Sequence, residues 1–209
     1  MSDLRQQTIG QFLDELASGS ATPGGGAAAG LAGAMGAALM SMVANLTIGR
    51  KKYAGYEEEM RQLQARADEV RREMTNLAQR DALVFDSVMA AYKLPKDTEA
   101  QRAAREASIQ RALAEATQVP LQTMEQAAAI YELAVPLSQK GNTTAISDVG
   151  AGLLLAEAAL HAAMLNVKIN LGLMTDQEFS DQVRRRADAL LAGKDEARRT
   201  VIAAVEARI

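Results

Sequence analysis

A run of small residues from Gly24 to Leu39 constrains the fold of this chain more than any other segment. Thirteen of its sixteen residues are Gly or Ala, and no charged residue occurs from Leu16 to Gly49. Glycines at positions 26, 30, 33 and 36 are three or four residues apart, so in a helix they form a smooth ridge. Each glycine within a helix costs up to about 1 kcal/mol relative to alanine, and close approach of another helix or of a ligand would offset that cost. We therefore predict a helix that packs very closely against a neighbour.

A membrane span and a phosphate-binding loop are the two other interpretations of this run. It is long enough to cross a bilayer, but Ser41, Asn45 and Thr47 interrupt its second half and the other predicted helices are amphipathic. The chain has no GxxxxGKS/T motif and no GxGxxG motif after a strand. The three glycines at positions 24 to 26 still leave backbone N–H groups free to meet an anion such as a carboxylate. Close packing is the preferred interpretation, and membrane association remains a weak alternative.

The composition narrows the classes of function. The 209 residues are 48 % hydrophobic and 23 % charged, with a formal net charge of −3, so nucleic acid is not an expected partner. There is no cysteine and only one histidine, His161, which excludes disulfides, cysteine nucleophiles, thiolate zinc sites and multi-histidine metal sites. The first residues lack the cationic-then-apolar pattern of a secretory signal. We therefore expect a cytoplasmic protein without a bound metal.

Helical periodicity runs along the chain. The longest predicted helix spans about residues 56–92, with apolar residues alternately three and four positions apart, as a packed helix pair requires. Its predicted seam comprises Met60, Leu63, Ala67, Val70, Met74, Leu77, Asp81, Val84, Val88 and Ala91. Further helices are predicted over about residues 98–117, from Pro120 to about 139, over about 143–171, from 175 onward and over about 195–208, and no segment alternates as a strand would. The sequence thus predicts an all-α single domain over residues 1–209, an elongated bundle of long antiparallel helices.

Polar residues in apolar settings are the first candidates for function. Asp81 occupies a seam position of the longest helix, where a carboxylate is costly unless it is paired or hydrated. Asn45 lies on the apolar stripe of the glycine-rich helix, shortly before three cations that can hold an anionic ligand, Arg50, Lys51 and Lys52. Structural interpretations compete with both: a buried aspartate that fixes helix register, and a solvated basic helix end.

The segment KGNTTAISD, from Lys140 to Asp148, is the densest polar cluster. Asn142 or Thr143 can cap the helix that follows. Asp148 then lies in its second turn, where the helix dipole alone is enough to explain an acidic residue. Beyond Asp148, one face of this helix is small and polar, which suits a cleft rather than a core. That face carries Gly152, Ala159, Ala163, Asn166 and Asn170.

Four longer segments occur in a distinctive order between Ile9 and about Leu171. They are TPGGGAAA, ALMSMVANLTIGRKKY, FDSVMAAYKLPK and KGNTTAISDVG…NVKIN. Together they resemble the cyclodeaminase/cyclohydrolase family of folate enzymes. The resemblance implies an all-helical fold and a homodimer that binds folate in a cleft at its interface, with no metal and no redox cofactor. The glycine ridge would then be a close-contact element near that interface.

The resemblance implies one activity and leaves alternatives open. The chain is most similar to the stand-alone cyclohydrolases, which hydrolyse 5,10-methenyltetrahydrofolate to 10-formyltetrahydrofolate. The nearest alternative is a formiminotetrahydrofolate cyclodeaminase, which releases ammonia, because the two activities share the scaffold. A non-enzymatic helical scaffold is an alternative of another class, since the structural interpretations of Asp81, Asp148 and the three cations all fit it.

The polar residues receive expected roles from their place in the family motifs and from their chemistry. The substrate is a cationic amidinium, so its hydrolysis needs water at the bridging carbon, a base, and protonation of the departing N5. We expect Asp148 to act as base or electrostatic partner, Lys140 to orient water or stabilise the developing oxygen charge, and Asp81 to contact the pterin or assist proton transfer. The predicted substrate-binding residues are Asn45, Asn142, Asn166 and Asn170 at the pterin edges, and Arg50, Lys51 and Lys52 with Gly24, Gly25 and Gly26 at the glutamate tail.

Overall fold

The computed structural model describes residues 3–209, and within that range it contains helices and no strand. The α-helices are α1 Ile9–Leu16, α2 Gly25–Thr47, α3 Glu57–Tyr92, α4 Glu99–Lys140, α5 Ile146–Leu171, α6 Gln177–Leu191 and α7 Lys194–Glu206. Short 3-10 turns occupy Leu4–Gln6, Lys51–Tyr56 and Thr143–Ala145. The prediction of an all-α protein is confirmed.

The hydrophobic core lies where four long helices meet. α2 packs against α3 and α5, α4 packs against the same two helices, and α7 covers part of α4 and α5. The predicted seam of α3 faces this core, and Met60, Met74 and Leu77 are completely buried. Two seam residues nearer the end of α3, Asp81 and Val84, are only half-buried, because the seam there reaches a cleft.

The glycine ridge of α2 makes the close contacts that the sequence predicts. A Cβ placed on Gly30 would lie 2.8 Å from the Cβ of Ala78 on α3. A Cβ on Gly36 would lie 2.7 Å from the carbonyl oxygen of Gly152 on α5. Real Cβ atoms do not approach other atoms so closely, so only glycine fits at either position. α2 is therefore a central helix held by near backbone-to-backbone contact on two sides.

α4 differs from the prediction. The sequence predicts a break at Pro120, but a single helix of 42 residues runs from Glu99 to Lys140 through Pro120 and Pro136. Pro120 has no N–H group for the carbonyl oxygen of Ala116, one turn earlier. The side-chain amide of Asn170 on α5 donates to that oxygen at 3.2 Å. A hydrogen bond from a neighbouring helix thus replaces the one that proline removes.

Two stretches of the described chain are long and apolar enough to cross a membrane, Gly25–Thr47 and Thr143–Leu171. In the first, 61 % of the most apolar window is buried inside the protein, and in the second, 50 %. These are the central helices α2 and α5, so packing within the fold accounts for much of their apolar character.

Candidate active site

The first cavity, here named the Asp81 cleft, lies where the start of α2 meets the later turns of α3 and the end of α5. Its volume is about 340 Å³, within the range of small-molecule sites. Its polar lining comprises Thr22, Gly24, Gly25, Gly26, Asp81, Asn166 and Asn170. The rest is mostly apolar and includes Val84, Phe85, Val88, Met89, Tyr92, Leu113, Ile169 and Leu173. The structure therefore brings together six residues that were predicted separately from the sequence.

Asp81 sits against the beginning of α2. Its carboxylate occupies the space where Gly26 has no side chain, and any Cβ at Gly26 would collide with it. Burial raises the pKa of Asp81 above its ordinary value, although a hydrogen bond from the backbone N–H of Ala27 opposes the shift. Because burial is the larger effect, this carboxyl retains its proton to higher pH than an exposed aspartate, which suits a group that exchanges protons with a ligand.

Asn166 and Asn170 present acceptors to the cleft. The side-chain NH2 of Asn166 donates to the carbonyl oxygen of Ala162 at 2.9 Å, and that of Asn170 donates to Ala116 as described above. Each NH2 group thus uses one of its two hydrogens within the protein, which fixes the side chain and leaves the amide oxygen and one N–H for a ligand. With the Asp81 carboxyl, the cleft offers three acceptor groups beside an apolar wall. Such a lining suits a flat, donor-rich or cationic ring.

The second cavity, here named the basic hollow, lies beyond the other end of α2. It measures about 430 Å³ and is lined by Arg50, Lys51, Lys52, Tyr53, Asn142, Thr143 and Thr144. Asn142 is nearly buried and fixed at two points: its N–H donates to Thr47 Oγ1 and its side-chain NH2 donates to the carbonyl oxygen of Leu46, both at 2.8 Å. The three cations are exposed, so the hollow can attract an anionic group.

Tyr53 is a candidate that the sequence analysis did not select. Its hydroxyl oxygen accepts a hydrogen bond from the N–H of Thr143 at 3.0 Å and lies 3.3 Å from the Thr143 hydroxyl. These bonds, with a smaller contribution from Lys52, lower the pKa of Tyr53 below its ordinary value. The feature of the sequence that could have identified Tyr53 is its position directly after the three cations.

The sequence analysis also missed three residues of the Asp81 cleft, Phe85, Met89 and Tyr92. Their spacing places them on one exposed face of α3.

Three further predicted residues lie outside the lining of both cavities. The Nζ of Lys140 lies 2.7 and 2.8 Å from the two carboxylate oxygens of Glu59. Asp148 is half-buried in the first turn of α5 rather than in the second turn as predicted, because Thr143–Ala145 forms a separate 3-10 turn. No hydrogen bond or ion pair joins its side chain to any other described residue. Asn45 is exposed, and its NH2 reaches only the hydroxyl of Ser41, at 3.4 Å.

The predicted site residues fall at two ends of one helix. α2 has 23 residues, so its ends are about 34 Å apart at 1.5 Å per residue. The Asp81 cleft is at its start, whereas the basic hollow, Lys140 and Asp148 are near its end. The expectation that Asp81 shares a cleft with Asp148 is therefore not met within one chain. The expectation that the glycines and the cations meet the same glutamate tail is not met within one chain either.

The fold and the Asp81 cleft and basic hollow define an all-helical protein with binding sites of small-molecule size. The family model described as formiminotransferase-cyclodeaminase matches residues 8–189. The chain belongs to that family.

Individual relatives carry related names. The chain is 46 % identical over 186 residues to a methenyltetrahydrofolate cyclohydrolase from Methylorubrum extorquens, with 89 % of each chain covered. It is 34 % identical over 205 residues to a formimidoyltransferase-cyclodeaminase from Rattus norvegicus, covering 98 % of this chain and 38 % of that longer protein. The crystal structure of a formiminotetrahydrofolate cyclodeaminase from Thermotoga maritima matches with a TM-score of 0.88 at 30 % identity, covering 97 % of this chain and 98 % of that one.

Proposed function

We propose that this chain is a methenyltetrahydrofolate cyclohydrolase, which hydrolyses 5,10-methenyltetrahydrofolate to 10-formyltetrahydrofolate. The observation that carries the proposal is the 46 % identity to the Methylorubrum extorquens cyclohydrolase over 89 % of both chains. The Asp81 cleft supports it, because its apolar wall and three acceptor groups suit a flat pterin ring next to a cationic amidinium. The basic hollow supports it too, since a folate carries an anionic glutamate.

The reaction adds water to the bridging carbon and breaks its bond to N5, with one proton released overall. A base must take a proton from the attacking water, and N5 must gain one as it departs. In the proposed mechanism Asp148 is the base or electrostatic partner of the cation, and Lys140 orients the water or stabilises the developing oxygen charge. Asp81, with its raised pKa, contacts the pterin and assists proton transfer. Hydrolysis proceeds without a metal or redox cofactor, and the enzyme is cytoplasmic.

We further propose that the chain, an elongated bundle of long antiparallel helices, forms a homodimer. Two packed helices each leave an apolar stripe exposed: Met35, Met42 and Leu46 on α2, and Leu154, Leu165 and Ile169 on α5. Met35 on α2 is 54 % exposed, and Leu165 on α5 is 67 % exposed. Pairing two copies antiparallel about a two-fold axis through these stripes brings the start of α2 in one subunit towards the end of α2 in the other. The Asp81 cleft of one subunit then adjoins the basic hollow, Lys140 and Asp148 of its partner, which assembles the predicted site twice.

The deciding experiment follows the methenyl chromophore at neutral pH, with and without the purified protein, and subtracts spontaneous hydrolysis. We expect accelerated loss of absorbance with 10-formyltetrahydrofolate as product. A folded protein that does not accelerate the loss of absorbance would contradict the proposed cyclohydrolase activity. Dialysis against EDTA should leave the rate unchanged, because no metal takes part in the proposed mechanism.

Formiminotetrahydrofolate cyclodeaminase is the second candidate. The observation that favours it is the match to the Thermotoga maritima cyclodeaminase structure over 97 % of this chain. In that reaction N10 attacks the formimino carbon and ammonia leaves. Ammonia release from formiminotetrahydrofolate, without methenyl hydrolysis, would decide for it. Failure to bind either reduced folate would instead favour the non-enzymatic scaffold.

The proposed role of Asp148 makes a direct prediction. Replacing it in an Asp148→Asn variant should lower turnover by about two to four orders of magnitude, the usual size of a general-base contribution. The thermal midpoint should change little, because the carboxylate has no bonded partner among the described residues. The matched control is Glu99→Gln, which neutralises the first-turn acid of α4 and should leave turnover unchanged. Near-normal turnover of Asp148→Asn would remove Asp148 from catalysis.

A further inference from the structure

One wall of the basic hollow is a short loop between α4 and α5, formed by Gly141 to Thr144. Its inner side is tied to the end of α2 through Asn142, as described above, and to Tyr53 through the N–H of Thr143. These bonds fix the loop from the side of the hollow. The carbonyl oxygens of Ser138, in the last turn of α4, and of Gly141, its C-cap, have no N–H group of a following helical turn to accept from.

Arg208, just beyond the end of α7, binds these carbonyl groups. Its Nη1 donates to the carbonyl oxygen of Ser138 at 2.6 Å, and its Nη2 donates to that of Gly141 at 2.7 Å. Both bonds are short and charge-assisted, and a cation at a helix C-terminus also interacts favourably with the helix dipole. Arg208 is half-buried as a residue, so solvent screens its charge only in part.

The loop cannot move easily away from this clamp. A Cβ on Gly141 would lie 2.6 Å from the carbonyl oxygen of Leu137 and 2.9 Å from Val43 Cγ1, so the backbone is packed closely there. α7 itself is anchored, with Val201 and Val205 buried against α4 and α5. The two hydrogen bonds of the Arg208 guanidinium therefore connect the anchored end of α7 to Gly141, the residue that precedes Asn142. The region matched by the family model ends at residue 189, before α7 begins at Lys194.

We propose that Arg208 is a positioning residue for the basic hollow. By holding the carbonyl groups of Ser138 and Gly141 it sets the position of the wall that carries Asn142 and Thr143. This inference rests on the proposed function, in which the hollow receives the glutamate of the folate. Arg208 does not touch the substrate, and it acts on the binding of the tail rather than on the chemical step.

The test compares Arg208→Met with a matched variant, Arg199→Met, in which an exposed arginine of α7 loses its ion pair with Glu196. We expect Arg208→Met to raise the KM for 5,10-methenyltetrahydrofolate about tenfold, consistent with the loss of a charge-assisted hydrogen bond. kcat should stay within about twofold of wild type, because Lys140, the proposed catalytic residue between Ser138 and Gly141, is held separately by its ion pair with Glu59. Arg199→Met should change neither parameter.

A truncated substrate separates positioning from general damage. With 5,10-methenyltetrahydropteroate, which lacks the glutamate, wild type and Arg208→Met should have the same KM. Arg208→Ala should regain part of its lost affinity for the full substrate when millimolar guanidinium is added, and wild type should not respond. If Arg208→Met does not fold, Arg208→Lys keeps the charge, loses the two-pronged geometry, and should show the same selective KM defect at a smaller size.

The possible failures are distinct. Wild type without cyclohydrolase activity overturns the proposed function. An active wild type with an unchanged KM in Arg208→Met overturns the role of Arg208. A KM defect that is equal for both substrates also overturns it, because the defect then does not depend on the tail.

Discussion

Two opposing effects meet at the carboxyl of Asp81. The backbone N–H of Ala27 favours the charged form, and burial favours the neutral form. Burial is the stronger effect, so the pKa is raised. The folded protein therefore binds more protons than the unfolded chain between the ordinary carboxyl pKa of 3.8 and the raised value. Stability falls as pH rises through that window and stays lower above it.

We predict that Asp81→Asn raises the free energy of unfolding at neutral pH. The gain should shrink as pH falls towards the ordinary carboxyl pKa of 3.8, because below it wild type and variant both carry a neutral group. Urea denaturation of both proteins at steps of pH measures the difference. Asp86→Asn is the control, since it makes the same substitution at an exposed position of the same helix. A difference that is constant with pH contradicts a raised pKa.

At the scale of single residues, the sequence indicated which polar residues were candidates for the site but not which residues they contact. Asp81 was recognisable because it interrupts an apolar seam. Its contact with Gly26 was not, since the two residues are 55 positions apart and only the packing of α2 on α3 joins them. Lys140 was expected to face a ligand, but it forms an ion pair with Glu59. Nothing in the sequence pattern distinguishes Glu59 from the other acidic residues at the start of α3.

At the scale of helices, the glycine ridge of α2 gives a sharp prediction. Gly30→Ala should destabilise the protein by about 1 to 3 kcal/mol, because the new methyl group meets backbone atoms of Ala78 at 2.9 and 3.0 Å that cannot move aside. Gly150→Ala on α5 is the matched control, since its nearest neighbours are side-chain atoms at 3.5 and 3.6 Å. It should be neutral or gain up to about 1 kcal/mol from helix propensity. Chemical denaturation of both variants checks the pair, and equal effects contradict the close contact.

The uninterrupted course of α4 through Pro120 leads to a second prediction at the scale of helices. Asn170→Ala should cost about 1 to 2 kcal/mol, because the carbonyl oxygen of Ala116 then loses the side-chain donor that replaces the N–H missing from Pro120. In a Pro120→Ala background the same change should cost less, since alanine at 120 restores a backbone N–H for that oxygen. A double-mutant cycle measured by urea denaturation gives the coupling. If the effects of the two substitutions on the free energy of unfolding are additive, Asn170 does not compensate for the N–H group that Pro120 lacks.

This compensation explains why the helix break was predicted wrongly. Proline is strongly unfavourable in the interior of a helix, and the sequence contains no local sign that a residue 50 positions later compensates for the lost hydrogen bond. The apolar seam of α3 was predicted correctly for the opposite reason. Its 3.5-residue period is a local pattern that depends on no distant partner.

At the scale of the whole molecule, the separation of the Asp81 cleft from the basic hollow is what the sequence does not reveal. Motif order places residues along the chain, and the straight path of α2 then puts its two ends about 34 Å apart. Pairing of two chains is the proposed solution. Leu165→Glu on the exposed stripe of α5 should therefore dissociate the dimer and abolish activity, as sedimentation velocity and the chromophore assay would show. Leu83→Glu on α3 is the control, because that leucine is similarly exposed, at 50 %, outside both stripes.

Subunit mixing tests the shared site directly. Asp81→Asn and Asp148→Asn proteins should each be nearly inactive. When the two are mixed and allowed to exchange subunits, about a quarter of wild-type activity should return, because half of the dimers are mixed and each of those has one intact site. Mixtures that stay inactive while the subunits exchange contradict a site built from two chains.

The close contacts of α2 also limit how this sequence can drift during evolution. Gly36 meets the backbone of another glycine, and Gly30 meets the backbone of Ala78, so no second substitution can make room for a larger residue at either position. Gly33 differs, since it meets the flexible end of the Met74 side chain. We expect homologous sequences to vary positions 33 and 74 as a compensating pair, while positions 30 and 36 remain glycine whatever happens around them.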